Sequence, residues 1–102
     1  MIRASFRFSA RGAAAFTVKG HAGYAGSGRD IVCAAVSSAA YMAANTVTEV
    51  LGVRARVCEK EGYLSFGFTG SEPAADIVRG LLLHLTQLQE QYPGFIQITS
   101  EV

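Results

Sequence analysis

With 102 residues, half of them hydrophobic and 17% charged, the chain has the apolar side chains for a packed core and too few charges for a disordered one. Its formal net charge of +1 leaves no footprint for nucleic acid, which ordinarily shows as a clustered basic surface, so no nucleic-acid partner is expected from the total. The length suits a single domain over 1–102, and apolar runs such as Leu81 to Leu83 fall short of the roughly 20 residues that cross a bilayer, so no membrane partner is expected.

In chain order, Ile2, Ala4, Phe6 and Phe8 alternate with Arg3, Ser5 and Arg7, the period of a half-buried strand. Met1-Ile2-Arg3 leads straight into that alternation without the apolar region of a secretory leader. Free thiols in a cytoplasmic setting are therefore expected for the two cysteines. Arg11-Gly12 marks a turn, and Ala15 to Lys19 reads as a second strand with Phe16 and Val18 inside. Asp30 stands where a helix N-cap belongs. From there Val32, Val36, Ala39, Ala43, Val47 and Val50 form one apolar stripe that Gly52 ends as a C′ glycine. Val53, Ala55 and Val57 against Arg54, Arg56 and Lys60 give a third strand. Glu61-Gly62 turns into a fourth with Leu64, Phe66 and Phe68 inward. Ser71-Glu72-Pro73 opens a second helix whose buried face is Ala74, Ile77, Val78, Leu81, Leu85 and Leu88. Tyr92-Pro93-Gly94 stops it before a last strand from Phe95 to Val102. The order β-β-α-β-β-α-β fits an α+β fold, a two-layer sandwich with one mixed sheet and both helices on one face.

Between Gly20 and Cys33 the chain reads G-H-A-G-Y-A-G-S-G-R-D-I-V-C, which puts one of two histidines and one of two cysteines at the ends of a glycine-rich loop. With Asp30 as N-cap, Cys33 is the third residue of the helix, where unpaired amides and the helix dipole favour a thiolate. If the loop folds back, His21 reaches Cys33 as its base, and Ser37 lies one turn further on the same helix face. Spacing alone equally fits the plainer alternative, in which Cys33 is a small core residue, Asp30 a cap, Ser37 a surface residue and the loop a connection. Gly23, Gly26 and Gly28 run in the wrong order for a dinucleotide fingerprint. His21, Asp30 and Cys33 make an incomplete set for a closed zinc site, so neither cofactor nor metal is expected. His84, on an apolar helix, and Cys58, among basic neighbours, lack the partners of a reactive group.

Gly20-His21-Ala22, followed after a short loop by Gly28-x-Asp30-Ile31-Val32-Cys33-Ala34-Ala35-Val36-Ser37, resembles the ribosomal-processing cysteine protease (Prp) family, and the likeness extends over nearly the whole chain. The loop departs from the family pattern in its glycines and Ser27. The resemblance implies a small cytoplasmic bacterial endopeptidase. Such an enzyme removes the N-terminal extension of a large-subunit ribosomal protein precursor, the twenty-seventh, cleaving after an aromatic pair. It implies Cys33 as nucleophile, His21 as base, Asp30 and Ser37 as supporting residues, and a substrate loop with Ala22, Gly23, Tyr24, Gly26 and Gly28 that moves when substrate binds. It also implies a homodimer, which the apolar Tyr41, Met42 and Leu83, lying off the main helix stripes, suggest independently. The other function these residues allow is a non-catalytic ribosome-associated binding or assembly module, with Cys33 as a packing residue.

Overall fold

Alternation organises the sheet. In β1 (Ile2–Ser9) Ile2, Ala4, Phe6 and Phe8 are buried and the residues between them are exposed. Successive side chains of a strand point to opposite faces, so β1 is covered on one side only. The computed structural model describes residues 1–23, 25 and 30–101. There β1 joins β2 (Ala13–Lys19), β3 (Arg56–Lys60), β4 (Tyr63–Phe68) and β5 (Ile96–Glu101) in a mixed sheet of order β3-β4-β2-β1-β5. The β1 strand runs antiparallel to β2 and parallel to β5, and β4 runs antiparallel to both β2 and β3. Helices α1 (Ile31–Asn45) and α2 (Glu72–Gln91) pack on the apolar face, in the α+β order that the sequence predicts.

The core is built on phenylalanines brought together by register. Phe6 lies opposite Phe16, and Phe16 opposite Phe66. Their ring centroids are 6.0 and 5.3 Å apart, and Phe8 and Phe68, two residues further along β1 and β4, pack against Phe6 and Phe66. Each such pair contributes about 0.5–1.5 kcal/mol beyond its burial. Val32, Val36, Ala40, Ala43 and Val47 of the first helical segment and Val78, Leu81 and Leu85 of α2 close over it.

The β1–β2 turn also fixes the start of α2. Arg11 and Gly12 both have positive φ, 66° and 67°, the twist that suits a tight hairpin. Gly12 approaches α2 so closely that a Cβ there would lie 2.4 Å from the Ser71 carbonyl carbon. In return Gly70 and Ser71 donate their N–H groups to the Arg11 and Gly12 carbonyls, each at 3.1 Å. Ser71 Oγ then caps the helix by accepting from the Ala74 N–H at 3.1 Å.

Two elements differ from the sequence expectation. The α-helical geometry of α1 stops at Asn45, and Thr46–Val50 forms a wide π turn in which the Leu51 N–H donates five residues back to Thr46. A wider turn rotates the following side chains, so Val50, expected on the inner stripe, is 75% exposed, although Gly52 ends the element at φ 67° as anticipated. Likewise β3 begins at Arg56 rather than Val53, and all five of its residues are exposed, Val57 included. It is the sheet's edge, tied to α1 by the Tyr41 hydroxyl, which donates to the Glu59 carboxylate. Although no short apolar run suggests a membrane span, Ile31–Val50 taken as one helix is long and apolar enough to cross a bilayer. Val32, Val36, Ala40, Ala43 and Val47 of this segment are packed into the protein core.

Phe16 sits at the centre of the aromatic row and is fully buried. Phe16→Ala is expected to lower unfolding free energy by about 3–5 kcal/mol, the cost of a large cavity in a packed core. Urea denaturation followed by circular dichroism checks it.

Candidate active site

The site forms where the end of β2 meets the start of α1. Lys19 pairs with Tyr63, so the chain leaves β2 beside the β3–β4 turn, and the Gly20 N–H donates to the Gly62 carbonyl at 2.9 Å. This bond delivers His21 to the turn. Gly62, at φ 67°, leaves room for the imidazole, since a Cβ there would lie 3.1 Å from His21 Nε2. One residue on, Ala22 is buried in the core, and its N–H donates to Cys33 Sγ at 3.1 Å. The loop therefore does fold back, and it does so through the main chain.

From the other side, Asp30 fixes the helix start. Its backbone is extended, and its Oδ1 accepts from the Cys33 N–H at 2.9 Å, the geometry of an N-cap. Cys33 is half-buried in the first turn. His21, Asp30, Cys33 and Ser37 line one cavity of about 620 Å³, together with Gly23, Ala25, Ala34 and Glu61. All four polar residues expected at the site are thus brought together. Ala22, expected to belong to a mobile substrate loop, is instead packed against the core. Gly23 lines the cavity, whereas Tyr24, Gly26 and Gly28, with Ser27 and the loop motion expected of them, lie outside the described residues.

Electrostatics at the sulfur differ from the expectation of a favoured thiolate. Burial pushes the Cys33 thiol above its ordinary value, and the Asp30 carboxylate raises it further through a hydrogen bond and its charge. The Ala22 N–H, and more weakly the chain's N-terminal ammonium, pull the other way. The cap that positions Cys33 thus opposes its ionisation. Asp30 also occupies the donors near the sulfur, since its carboxylate takes the Cys33 N–H and its carbonyl takes the Ala34 N–H at 3.1 Å.

Glu61 and the Ala22 amide escaped the sequence analysis. Glu61-Gly62 carried only a turn signal, and nothing local indicates that β2–β4 pairing carries this turn to the cavity. The two remaining candidates lie elsewhere, Cys58 exposed on β3 and His84 at a groove between the helices. Among the described residues no cluster of histidine, cysteine and carboxylate side chains has the makings of a metal site.

The sequence profile of the family described as Cysteine protease Prp matches residues 1–97. The chain belongs to the cysteine protease Prp family. It is 29% identical over 111 residues to the ribosomal processing cysteine protease Prp of Bacillus subtilis, and the match spans 100% of this chain and 99% of that protein. The fold is similar to that of the ribosomal processing protease Prp from S. aureus. The form with a covalently linked product peptide superposes with a TM-score of 0.89 at 23% identity, covering 98% of this chain and 99% of that one. The form with a substrate peptide gives 0.80 at 20% identity over the same shares of the two chains. SMU.848 from Streptococcus mutans superposes with a TM-score of 0.76 at 27% identity, covering 99% and 94%. Membership of the Prp family makes the protein a cysteine protease, and the alternative of a non-catalytic module gives way to it.

Because asparagine caps a helix as well as aspartate does, Asp30→Asn separates the two effects of this residue. Removing the carboxylate charge lowers the Cys33 pKa, so at any pH below that pKa a larger share of Cys33 is thiolate. The iodoacetamide alkylation profile of Cys33 is expected to shift to lower pH, with a rate at neutral pH about 2–10-fold higher. Peptide mass spectrometry, with the exposed Cys58 as internal reference, reads the effect.

Proposed function

We propose that the chain is an endopeptidase in which Cys33 and His21 act as a dyad on the N-terminal extension of a large-subunit ribosomal protein precursor, the twenty-seventh, cutting after an aromatic pair. The observation that carries the reading is a shared cavity lined by His21 and Cys33, with the Ala22 main-chain N–H donated to the sulfur. His21 takes the thiol proton as Cys33 Sγ attacks the scissile carbonyl, and then delivers that proton to the departing amine. Water, deprotonated by His21, attacks the thioester, releases the carboxylate product and returns the proton to sulfur. The covalently linked product peptide on the S. aureus protease is in keeping with a covalent intermediate.

The raised thiol pKa fits an enzyme whose resting nucleophile is a neutral thiol, ionised when His21 accepts its proton. The Ala22 N–H then stabilises negative charge on sulfur. Of the oxyanion donors that the helix start would offer, the Cys33 and Ala34 amides are committed to Asp30. Ser37, exposed at the cavity wall one turn from Cys33, is open to a peptide lying in the cavity. Glu61, which also lines the cavity, offers a carboxylate to peptide N–H groups. Both thiols are free, as a reducing, cytoplasmic setting would keep them.

The expected homodimer rests on the helix layer. Met42 is 68% exposed and borders a groove of about 730 Å³ between α1 and α2, whose walls include Ala39, Ile77 and Leu81. A second copy seated there would remove this apolar surface from water.

Incubation with a synthetic peptide spanning the extension and the first residues of the mature ribosomal protein, read by mass spectrometry, tests the activity. Wild type is expected to cut once after the aromatic pair, Cys33→Ala to be inactive, and His21→Ala to lose at least about 100-fold. Full cleavage by Cys33→Ala would refute the assignment. Light scattering at micromolar concentration is expected to report about twice the 10.8 kDa chain mass, and Met42→Glu to return a monomer that keeps its fold. A wild-type monomer at that concentration would rule out the dimer.

A further inference from the structure

The neutral total conceals a sorting of charge that the strand register produces. On the sheet face away from the helices, Arg56 and Arg7 lie in one cross-strand row that ends at Glu101, and Lys60, Lys19 and Arg3 lie in another. Among the described residues, five of the eight lysines and arginines stand on this face with one of the eight acids, and all six side chains are exposed. The other three described cations share the remaining described surface with seven acids. Among the described residues, one side of the molecule is therefore strongly positive and the rest negative.

The ground between the two rows is polar and low. Cys58, Ser65, Thr17, Ser5 and Thr99 form the row separating them. Small side chains there leave a hollow of about 370 Å³, bounded by Arg7 and Glu101 at one side and lined by Ser5, Ala15, Thr17 and Thr99. The two cationic rows stand four residues apart along the strands, about 13 Å. A single polyanionic strand lying in the hollow meets cations on both sides and hydroxyl donors beneath it. The one acid is paired with Arg7 at 3.5 Å, but both side chains are 70% exposed, and such a surface pair offers little resistance to a competing phosphate.

We propose that this open sheet face binds single-stranded nucleic acid through its phosphate backbone. Arginine, lysine, serine and threonine are the side chains that contact phosphates. The centre of a protein–protein interface, by contrast, is apolar and aromatic. Tyr63 is the one large apolar ring on these rows, half-buried with Lys60 5.6 Å above it, and it gives a base a single surface to stack on. A surface so cationic and so poor in apolar groups matches the composition of nucleic-acid interfaces.

The test is fluorescence anisotropy with a labelled oligouridylate of about 15 nucleotides, a length within reach of one single-strand site, titrated across salt concentrations. Four unpaired cations predict that log K falls against log salt with a slope of about −3. The double variant Arg3→Glu with Arg56→Glu is expected to weaken binding at least tenfold at low salt and to flatten the slope. Glu101→Gln, which frees Arg7, is expected to tighten binding about two- to threefold. Circular dichroism and peptide cleavage, both unchanged in the variants, show that fold and protease site are intact. Absence of salt-dependent binding, or binding indifferent to the charge reversals, overturns the proposal. Competition by polyglutamate of equal charge as effective as by unlabelled oligouridylate overturns it in favour of an acidic protein partner.

Discussion

A main-chain N–H given to a sulfur eleven residues later is the constraint on which this site depends. The Ala22–Cys33 contact requires two independently built elements to arrive at one place. Pairing of β2 with β4 fixes where Ala22 leaves the sheet, and the Asp30 cap fixes where Cys33 enters the helix. Either alone would leave an ordinary strand end or an ordinary helix start. Burial of Ala22 anchors the loop on the strand side, so His21, one residue before it, is placed beside the Gly62 turn.

Position and ionisation make opposing demands on Asp30. A carboxylate at the N-cap satisfies a first-turn amide and sets the helix start, which holds Cys33 in place. The same negative charge close to the sulfur, added to the effect of burial, favours the protonated Cys33 thiol. A protonated thiol resists oxidation and stray alkylation better than a thiolate, and in the proposed dyad it places the proton where His21 would collect it during attack. Under that proposal reactivity depends on the histidine and the bound peptide more than on the helix dipole.

The sheet separates rigidity from recognition. Its covered face carries the phenylalanine row, whose packing against both helices holds β2 in register and so underlies the geometry at Ala22. Its open face has no such duty. There, residues differing in charge from the rest of the chain are collected by strand pairing alone, with polar side chains over backbone that the core has already fixed.

The sequence by itself determined the elements whose causes are local. Alternation in β1, the caps at Asp30 and Ser71, the glycine stop at Gly52 and the proline in the first turn of α2 all depend on residues within a few positions of one another. The motif joining His21 to Cys33 pointed to the pair now proposed as nucleophile and base because a family resemblance carries spatial information that spacing lacks. Tertiary structure decided the rest. It turned Val50 outward through a π turn, left β3 an exposed edge and brought Glu61 and Gly62 to the cavity. It also placed Arg3, Lys19 and Lys60 in a single row. Each of these outcomes follows from pairing between strands distant in the chain or from what the helices do and do not cover. Periodicity tells which residues share a face of their own element, but only the packed fold tells what that face meets.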